Sequence, residues 1–278
     1  LPPPPKLPFA IQPNQLDTPQ SQRRSLHLPQ KKWQQLQKKC QRAGITPSSL
    51  LLTSYAEVLA LWSESPEFSL NVTLFNRHDS HHDISNIIGD FTALSLLAIQ
   101  HKSSDTFLER AHRIQHQLLQ DLTHRHYSGV NVLRDMPTRL AQTTPFVVFT
   151  SFIGLTSSND QLMGELADKC HYAMSQTSQS CLDFITWEEG EGLTIAWDCV
   201  ENLFEPGMLD DLFEAFTLLL TNLTTQHQPW QEKSYLCTLP HGQQVQRLSV
   251  NSTLTAFDDH MMHTLFAEQV AKNPDHLA

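Results

Sequence analysis

The chain has 278 residues, of which 40% are hydrophobic and 17% charged, and its formal net charge at pH 7 is −10. This composition is globular, and the length suffices for one large domain or two smaller ones. So acidic a chain is a poor general nucleic-acid binder, and its apolar runs fall short of the roughly 20 residues that a membrane-spanning helix needs.

The first segment is rich in proline, and residues 1–13 are expected to form an extended polyproline II connector. A chain with such a start is expected to be a piece of a longer protein. Its cysteines are odd in number and contain no Cys-x-x-Cys pair; they are Cys40, Cys170, Cys181, Cys199 and Cys237. This pattern predicts a reducing, cytoplasmic environment and argues against a disulfide framework or a cysteine zinc site.

Strands and helices alternate along the first 225 residues. Strands are predicted at 23–28, 68–75, the second half of 87–99, 145–155, 179–187 and 193–200. Helices are predicted at 31–43, from 47 to about 63, from Ser104 to about 122, from Gly129, and from Pro206 to about 223. The alternation indicates an α/β layer architecture, and the lack of a GxGxxG or Walker motif leaves nucleotide binding without support.

The helix ends carry sequence signals of their own. Gly44 is placed to end the first helix, and Thr46 with Pro47 is placed to begin the second. Ser104 is the expected N-cap of the third helix. Beyond Thr224 polar residues dominate, up to an amphipathic helix near the end of the chain, so we predict a domain boundary after residue 235.

The apolar run PFVVFTSFIGL, residues 145–155, contains two hydroxyls, Thr150 and Ser151. The run predicts a fully buried strand, in which an unpaired hydroxyl costs roughly 1–3 kcal/mol. Thr150 must therefore bond to a neighbouring strand or face a cavity. The residues alone leave both alternatives open.

Asp183 lies in SQTSQSCLDFITW, a segment that is apolar from Cys181 onward. A carboxylate on a buried strand is costly unless it is paired or functional, and burial moves a carboxyl pKa toward the range useful for proton transfer. A buried hydrogen-bond anchor and a proton-transfer group are both open at this point. Asp90, in the sequence GDFT, is expected to tie down a turn before a strand.

The fifteen histidines suggest two metal sites, neither of which is favoured. The sequence HDSHHD contains His78, His81 and His82, and His112 and His116 have the i, i+4 spacing that presents two imidazoles to one metal. There is no HExxH motif and no third ligand at a recognisable spacing, so we expect exposed histidines and no metal site. The GxSxG motif of serine hydrolases is absent as well.

Five segments, in this order, resemble those of heterocyclization domains of nonribosomal peptide synthetases. They are LPPPPKLPFAIQP, TPSSLLLTSYAEVLALWS, LNVTLFNR followed by GDFT, PFVVFTS, and SQTSQSCLDF. The sequence MHTLFAEQVAKNPDHLA resembles the segment that leads into an adenylation domain. The resemblance identifies residues 1–235 as the C-terminal lobe of a cyclization domain and residues 236–278 as a linker with the first residues of an adenylation domain.

The resemblance implies a chloramphenicol-acetyltransferase-like lobe, a mixed sheet flanked by helices, which forms the second half of a V-shaped pseudodimer around a reaction tunnel. Such domains condense an acyl thioester with a Cys, Ser or Thr thioester and cyclodehydrate the product to a thiazoline or oxazoline, an activity associated with siderophore biosynthesis. Substrates arrive on the phosphopantetheine of peptidyl or aryl carrier proteins, so no directly bound cofactor is implied. The other partners implied are the N-terminal lobe and the adenylation domain, with no nucleic acid or membrane.

The family's motifs also imply the site residues. The catalytic residues would be Thr150 and Asp183, with Thr150 near the end of its strand and within reach of Asp183 directly or through one water. Ser151 and Gln176 are the predicted substrate-binding residues. Asp90 and Thr92 are predicted to form a structural motif.

Three departures from the family pattern shape the alternatives. The DxxxxD motif of the first lobe is absent, and Ser178 stands where a proline is usual. His81 and His82 are similar to the start of the HHxxxDG motif of amide-forming condensation domains, but Asn86 and Ile87 replace its Asp and Gly. The isolated lobe is expected to be inactive, and the alternatives are a non-catalytic lobe that docks carrier proteins and an acyltransferase that uses His82.

Overall fold

The computed structural model describes residues 1–76, 81–102, 104–136, 146–154, 174–175, 179–226, 228–233, 239–254 and 261–275. The chain forms two compact units, Leu1–Leu239 and Pro240–Ala278. The predicted boundary after residue 235 lies outside the described residues.

The first unit is built on a six-stranded sheet in the order β1-β6-β5-β4-β2-β3. The strands are β1 Ser21–Leu28, β2 Phe68–Phe75, β3 Thr92–Ile99, β4 Phe146–Ser151, β5 Ser180–Glu189 and β6 Gly192–Val200. Strand β4 runs parallel to both of its neighbours, β2 and β5, whereas the other pairs are antiparallel. The predicted α/β class with a mixed sheet is therefore confirmed.

Five helices belong to the first unit and two to the second, among the residues that the structure describes. They are α1 Gln30–Ala43, α2 Pro47–Trp62, α3 Phe107–Thr123, α4 Gly129–Asp135 and α5 Met208–Thr225, followed by α6 His241–Asn251 and α7 Met262–Lys272. The helix α6 was not predicted, because its sequence HGQQVQRLSVN has little apolar periodicity. Each of its described side chains is at least partly exposed to solvent.

The main core lies between one face of the sheet and the helices. Helix α2 is apolar on nearly all sides, and its residues from Ser49 to Ala60 are all buried, as predicted. The ring of Tyr55 contacts Phe149 of β4, Phe184 of β5 and Trp197 of β6, at centroid distances of 6.4, 5.0 and 5.1 Å. Helix α5 closes the same cluster through Phe216. We call this side of the sheet the helix-covered face.

Local signals correctly located the junction of α1 and α2. Gly44 ends α1 in the left-handed conformation, with φ of 68°, which a residue without a Cβ adopts at little cost. The hydroxyl of Thr46 accepts a hydrogen bond from the amide of Ser49 at 3.1 Å and so caps α2, with Pro47 in the first turn.

Some sequence-based details were wrong. Helix α5 begins at Met208 rather than Pro206, because Gly207 precedes it with a positive φ of 85°. The apolar second half of residues 87–99 predicts a buried strand, but β3 is an edge strand with mostly half-buried residues. Helical periodicity places Leu119 on the apolar face of α3, but its side chain is 55% exposed.

Helix α3 is capped by Thr106, not by Ser104 as predicted. Thr106 accepts a bond from the amide of Glu109, and the Glu109 carboxylate accepts one from the amide of Thr106 at 2.7 Å, which completes a capping box. The sequence TFLE contains this signal, but the Ser-Asp pair just before it competes for the assignment.

Alanine substitutions can test whether Thr106 or Ser104 is the N-cap of α3. We expect Thr106→Ala to lower the free energy of unfolding by about 1 kcal/mol, because the amide of Glu109 at the start of α3 loses the hydroxyl that accepts its hydrogen bond. The matched change Ser104→Ala should have little effect, since that hydroxyl is exposed and, among the described residues, bonds only to the Asp105 side chain. Urea unfolding of both variants measures the difference, and an equal loss in the two would contradict the assignment.

Three described cysteines, Cys40, Cys181 and Cys199, are buried and free. Burial raises the pKa of the Cys40 thiol and that of the Cys199 thiol to about 12 each. Cys170 and Cys237 lie outside the described residues. Within the described part of the chain, no helix is both long enough and apolar enough to cross a membrane.

Candidate active site

The strand register brings several polar side chains to the sheet's second face, opposite the helix-covered face. Phe149, Phe184 and Trp197 lie on the helix-covered face. Because side chains alternate along a strand, the residues next to them in the sequence lie on the second face. Asp183 pairs directly with Asp198 of β6, and Asp198 pairs directly with Arg23 of β1. Thr150 of β4 lies on the same face.

Asp183 is a buried carboxylate, 4% exposed, as its apolar surroundings in the sequence predicted. One carboxylate oxygen accepts a bond from the hydroxyl of Ser175 at 2.5 Å, and the other accepts one from the hydroxyl of Ser180. The register between β4 and β5 shifts at Phe146, beside Ser180. Hydroxyl donors to both oxygens hold the carboxylate in one orientation.

Asp198 lies beside Asp183 and is equally buried. The guanidinium of Arg23 binds it with two parallel hydrogen bonds, Nε to Oδ1 and Nη2 to Oδ2, both at 2.6 Å. The backbone amide of Ser175 donates to the same Oδ2 at 2.6 Å. Ser175 thus contacts both carboxylates, one through its side chain and the other through its backbone.

Thr150 is half-buried and is the penultimate residue of β4, near the strand end as predicted. Its hydroxyl bonds to the hydroxyl of Thr73 on β2 at 2.8 Å rather than to Asp183. Thr150 pairs with Ile185 and Asp183 pairs with Val148, so the two site residues are offset by two positions on neighbouring strands. Strand geometry separates their Cα atoms by about 8 Å.

Of the two predicted substrate-binding residues, only Ser151 lies within the described part of the chain. Ser151 follows Thr150 and therefore points to the helix-covered face, where its hydroxyl lies 2.8 Å from that of Ser48 at the start of α2. The hydroxyl thus lies on the opposite side of the sheet from Thr150 and Asp183. Gln176 lies outside the described residues.

Asp90 and Thr92 form a local turn at the start of β3. The Asp90 side chain accepts a hydrogen bond from the amide of Thr92 at 2.8 Å. Hydrogen bonding to the side chain and the amide of Thr92 lowers the pKa of the exposed Asp90 carboxyl. This contact is of the kind that the sequence GDFT suggested.

The described histidine candidates are exposed side chains. His81, His82 and Asp83 are exposed and bring one ligand atom each within 4.8 Å of the others, whereas His78 lies outside the described residues. His112 and His116 are both exposed on α3, and no third ligand accompanies them among the residues that the structure describes. The imidazole of His82 is 81% exposed and lies beside Asp83.

The arrangement combines a buried carboxylate with hydroxyls on one face of the sheet. Asp183 supplies a carboxyl, and Thr150 with Thr73 supplies hydroxyls at the carboxyl ends of the parallel strands. Phe75 is two residues after Thr73 on β2, and its ring centroid lies 5.5 Å from that of Phe152. An aromatic pair therefore lies next to the hydroxyls. A carboxyl and a hydroxyl on the same face of neighbouring strands are a combination suited to general acid–base chemistry.

Sequence reasoning missed Arg23 and Asp198. Asp198 carried a usable signal, since it interrupts the apolar strand LTIAWDCV just as Asp183 interrupts its own. Arg23 carried none, because its partner lies 175 residues away.

A family comparison decides the classification. The model of the condensation domain matches residues 2–246. The chain belongs to the condensation-domain family. The mixed sheet and its flanking helices are thus the chloramphenicol-acetyltransferase-like fold of the condensation domains of nonribosomal peptide synthetases.

The relatives of this condensation-type chain include named synthetases. It is 37% identical over 238 residues to pyochelin synthetase PchF of Pseudomonas aeruginosa, a match that covers 84% of the chain and 13% of PchF. It is 34% identical over 233 residues to phenyloxazoline synthase MbtB of Mycobacterium tuberculosis, covering 84% of the chain and 16% of MbtB.

A solved structure supports the assignment to the condensation-domain family. The crystal structure of the EpoB cyclization-docking bidomain from Sorangium cellulosum superposes with a TM-score of 0.72 at 34% identity, covering 83% of this chain and 47% of that one. The condensation-type chain therefore spans under half of that structure and about a seventh of the two synthetases. Condensation domains of this kind work together with carrier proteins and adjacent domains.

Proposed function

We propose that this condensation-type chain is the C-terminal lobe of a heterocyclization domain, with Asp183 and Thr150 as its catalytic residues. The observation that carries the proposal is the buried carboxylate of Asp183, held by two serine hydroxyls on the sheet face that also bears Thr150. The names of two relatives, a phenyloxazoline synthase and a cyclization bidomain, support the same activity.

The proposed reaction has two stages. In the first, the amine of a Cys, Ser or Thr thioester attacks the carbonyl of an upstream acyl thioester, forming an amide and releasing the phosphopantetheine thiol. In the second, the side-chain sulfur or oxygen adds to the new amide carbonyl. The resulting hydroxyl then leaves as water together with the proton of the nitrogen, which forms the C=N bond of a thiazoline or oxazoline.

The second stage needs protons moved at two atoms, the nitrogen and the departing hydroxyl. The Asp183 carboxyl is proposed to take the proton from the nitrogen and deliver it to the departing hydroxyl. The Thr150 hydroxyl is proposed to hydrogen-bond the reacting amide. In the structure the Thr150 hydroxyl donates to Thr73. Because a hydroxyl both donates and accepts, the proposal is that this bond reverses when substrate binds, so that Thr73 donates to Thr150 and the Thr150 proton is left for the substrate.

The remaining assignments follow from the same proposal. Substrates remain on the phosphopantetheine arms of carrier proteins, and the second unit, residues 240–278, is proposed to belong to the linker and the start of an adenylation domain. Substrate binding by Gln176 and by Ser151 stays a prediction, as does a place in siderophore assembly.

The test is a two-lobe protein that joins this chain to an N-terminal cyclization lobe, supplied with loaded carrier proteins. Mass spectrometry of the carrier-bound product should show the loss of one water relative to the linear amide. Undiminished heterocycle formation by the variant with both Thr150→Ala and Asp183→Asn would remove the site assignment. Carrier binding without any turnover in the otherwise unaltered two-lobe protein would identify a docking lobe instead.

A further inference from the structure

We infer that Arg23 and Asp198 are positioning residues for Asp183 and act through Ser175. The inference rests on the proposed function, because it assigns these residues to the cyclodehydration stage. Neither residue belongs to a segment that resembles the heterocyclization motifs. Four hydrogen bonds link β1 to β5 across the sheet's second face.

The first link is the ion pair between Arg23 and Asp198. The two parallel bonds of the guanidinium fork fix the plane of the carboxylate as well as its position. The Asp198 side chain is 1% exposed and that of Arg23 is 21% exposed, so the carboxylate is shielded from solvent while the guanidinium lies at its edge.

The second link runs from Asp198 to Asp183. The fixed Oδ2 of Asp198 accepts the backbone amide of Ser175 at 2.6 Å, which sets the position of the Ser175 main chain. The Ser175 hydroxyl then donates to Asp183 at 2.5 Å. A displacement of the Asp198 carboxylate is therefore transmitted to a hydroxyl that orients the proposed catalytic carboxyl.

Charge gives Arg23 a second role. Asp183 and Asp198 are directly opposite each other on antiparallel strands, and like charges at such positions repel. The guanidinium of Arg23 compensates one of the two carboxylates. Without it, Asp198 would have to move away from Asp183 or change its partner, and Ser175 would move with it.

The variant that tests the inference is Arg23→Gln in the two-lobe protein with loaded carrier proteins. The matched control is Arg24→Gln, since Arg24 is the next residue of β1 and is also an ion-paired arginine. Arg24 lies on the helix-covered face and pairs with Glu201 and Asp210 at 2.9 and 2.7 Å. Both variants lose a partly buried ion pair of the same strand, but only Arg23→Gln disturbs the second face.

The readout is the ratio of cyclised to linear product, at a temperature where both variants remain folded. We expect Arg23→Gln to lower the ratio about 10-fold or more while the linear amide forms at nearly the unaltered rate, because small misplacements of a catalytic group are costly. Arg24→Gln should leave the ratio unchanged. Arg23→Lys, which keeps the charge without the fork, should fall between Arg23→Gln and the unaltered protein.

Two outcomes overturn the inference, namely an unchanged ratio in Arg23→Gln and an equal loss of linear and cyclised products. If Arg23→Gln does not fold, Ser175→Ala replaces it, since that change removes the last link and keeps the ion pair; an unchanged ratio there also overturns the inference. Asp183→Asn separates the two proposals. If it loses the heterocycle while the Arg23 and Ser175 variants keep it, only the positioning role fails, and if it keeps the heterocycle, the proposed function fails.

Discussion

Asp183→Asn in the two-lobe protein is expected to lower the rate of heterocycle formation by about 100- to 10,000-fold, the range that a general acid or base contributes. The asparagine side chain has the same shape and can still accept a hydrogen bond from Ser175 or Ser180, but it does not carry a proton between two atoms. The linear amide should therefore form and persist. Single-turnover kinetics, with both products resolved by mass, measure the two stages separately.

Asp121→Asn is the control for Asp183→Asn. Asp121 is a half-buried carboxylate on α3 whose pKa burial raises, and its described partner is Gln117. It shares partial desolvation with Asp183 but lies away from the second face of the sheet. Equal effects of the two changes on cyclisation would show a general loss of structure, and a heterocycle formed at full rate by Asp183→Asn would exclude Asp183 as the proton-transfer group.

The largest effect on stability is expected at Glu57, in the middle of α2. Its carboxylate is 2% exposed and binds the Arg110 guanidinium of α3 through two bonds of 2.5 and 3.0 Å, with His101 at 3.2 Å. Glu57→Leu leaves the buried guanidinium without its carboxylate partner. Breaking a buried pair in this way costs about 3–5 kcal/mol, which urea unfolding should show as a large shift of the midpoint.

A double variant distinguishes the loss of the ion pair from the loss of packing around Glu57 as the cause of the lower stability. Glu57→Leu combined with Arg110→Met replaces both charges by apolar groups and should recover most of the stability, since the desolvation cost disappears with the pair. The exposed pair of Lys6 and Glu64, 3.5 Å apart, is the surface control, and Lys6→Ala should change stability little. A single Glu57→Leu variant as stable as the unaltered protein would contradict the assigned role of the pair.

Features with a local cause could be predicted from the sequence. Strand β2 was located at its observed residues because its pattern and its flanking turn residues are contiguous. The Gly44 and Thr46 caps were located because the partners of a cap lie within a few residues of it. The burial of Asp183 could be predicted for the same reason, since its neighbours in the chain are apolar.

Features that depend on pairing between distant strands could not be predicted. The bond from Thr150 to Thr73 joins residues 77 positions apart, and it takes the place of the direct contact with Asp183 that had been one alternative. The offset between Thr150 and Asp183 depends on the register of β4 against β5, including its shift at Phe146. The register of two paired strands cannot be predicted from either strand alone, because it depends on which side chains of both strands are buried on each face of the sheet.

The position of β1 in the sheet has a consequence for how the protein is made. Strand β1 leaves the ribosome before the other described strands of the sheet, yet its partner is β6, and Arg23 pairs with Asp198, which lies 175 residues later in the chain. Contacts of such long sequence separation form slowly, and an unpaired strand edge is prone to wrong partners in the meantime. The ion pair that we assign to the orientation of Asp183 can therefore form only after β6 has been synthesised. Synthesis that stops before residue 192 leaves β1 without its partner and Asp183 without its support.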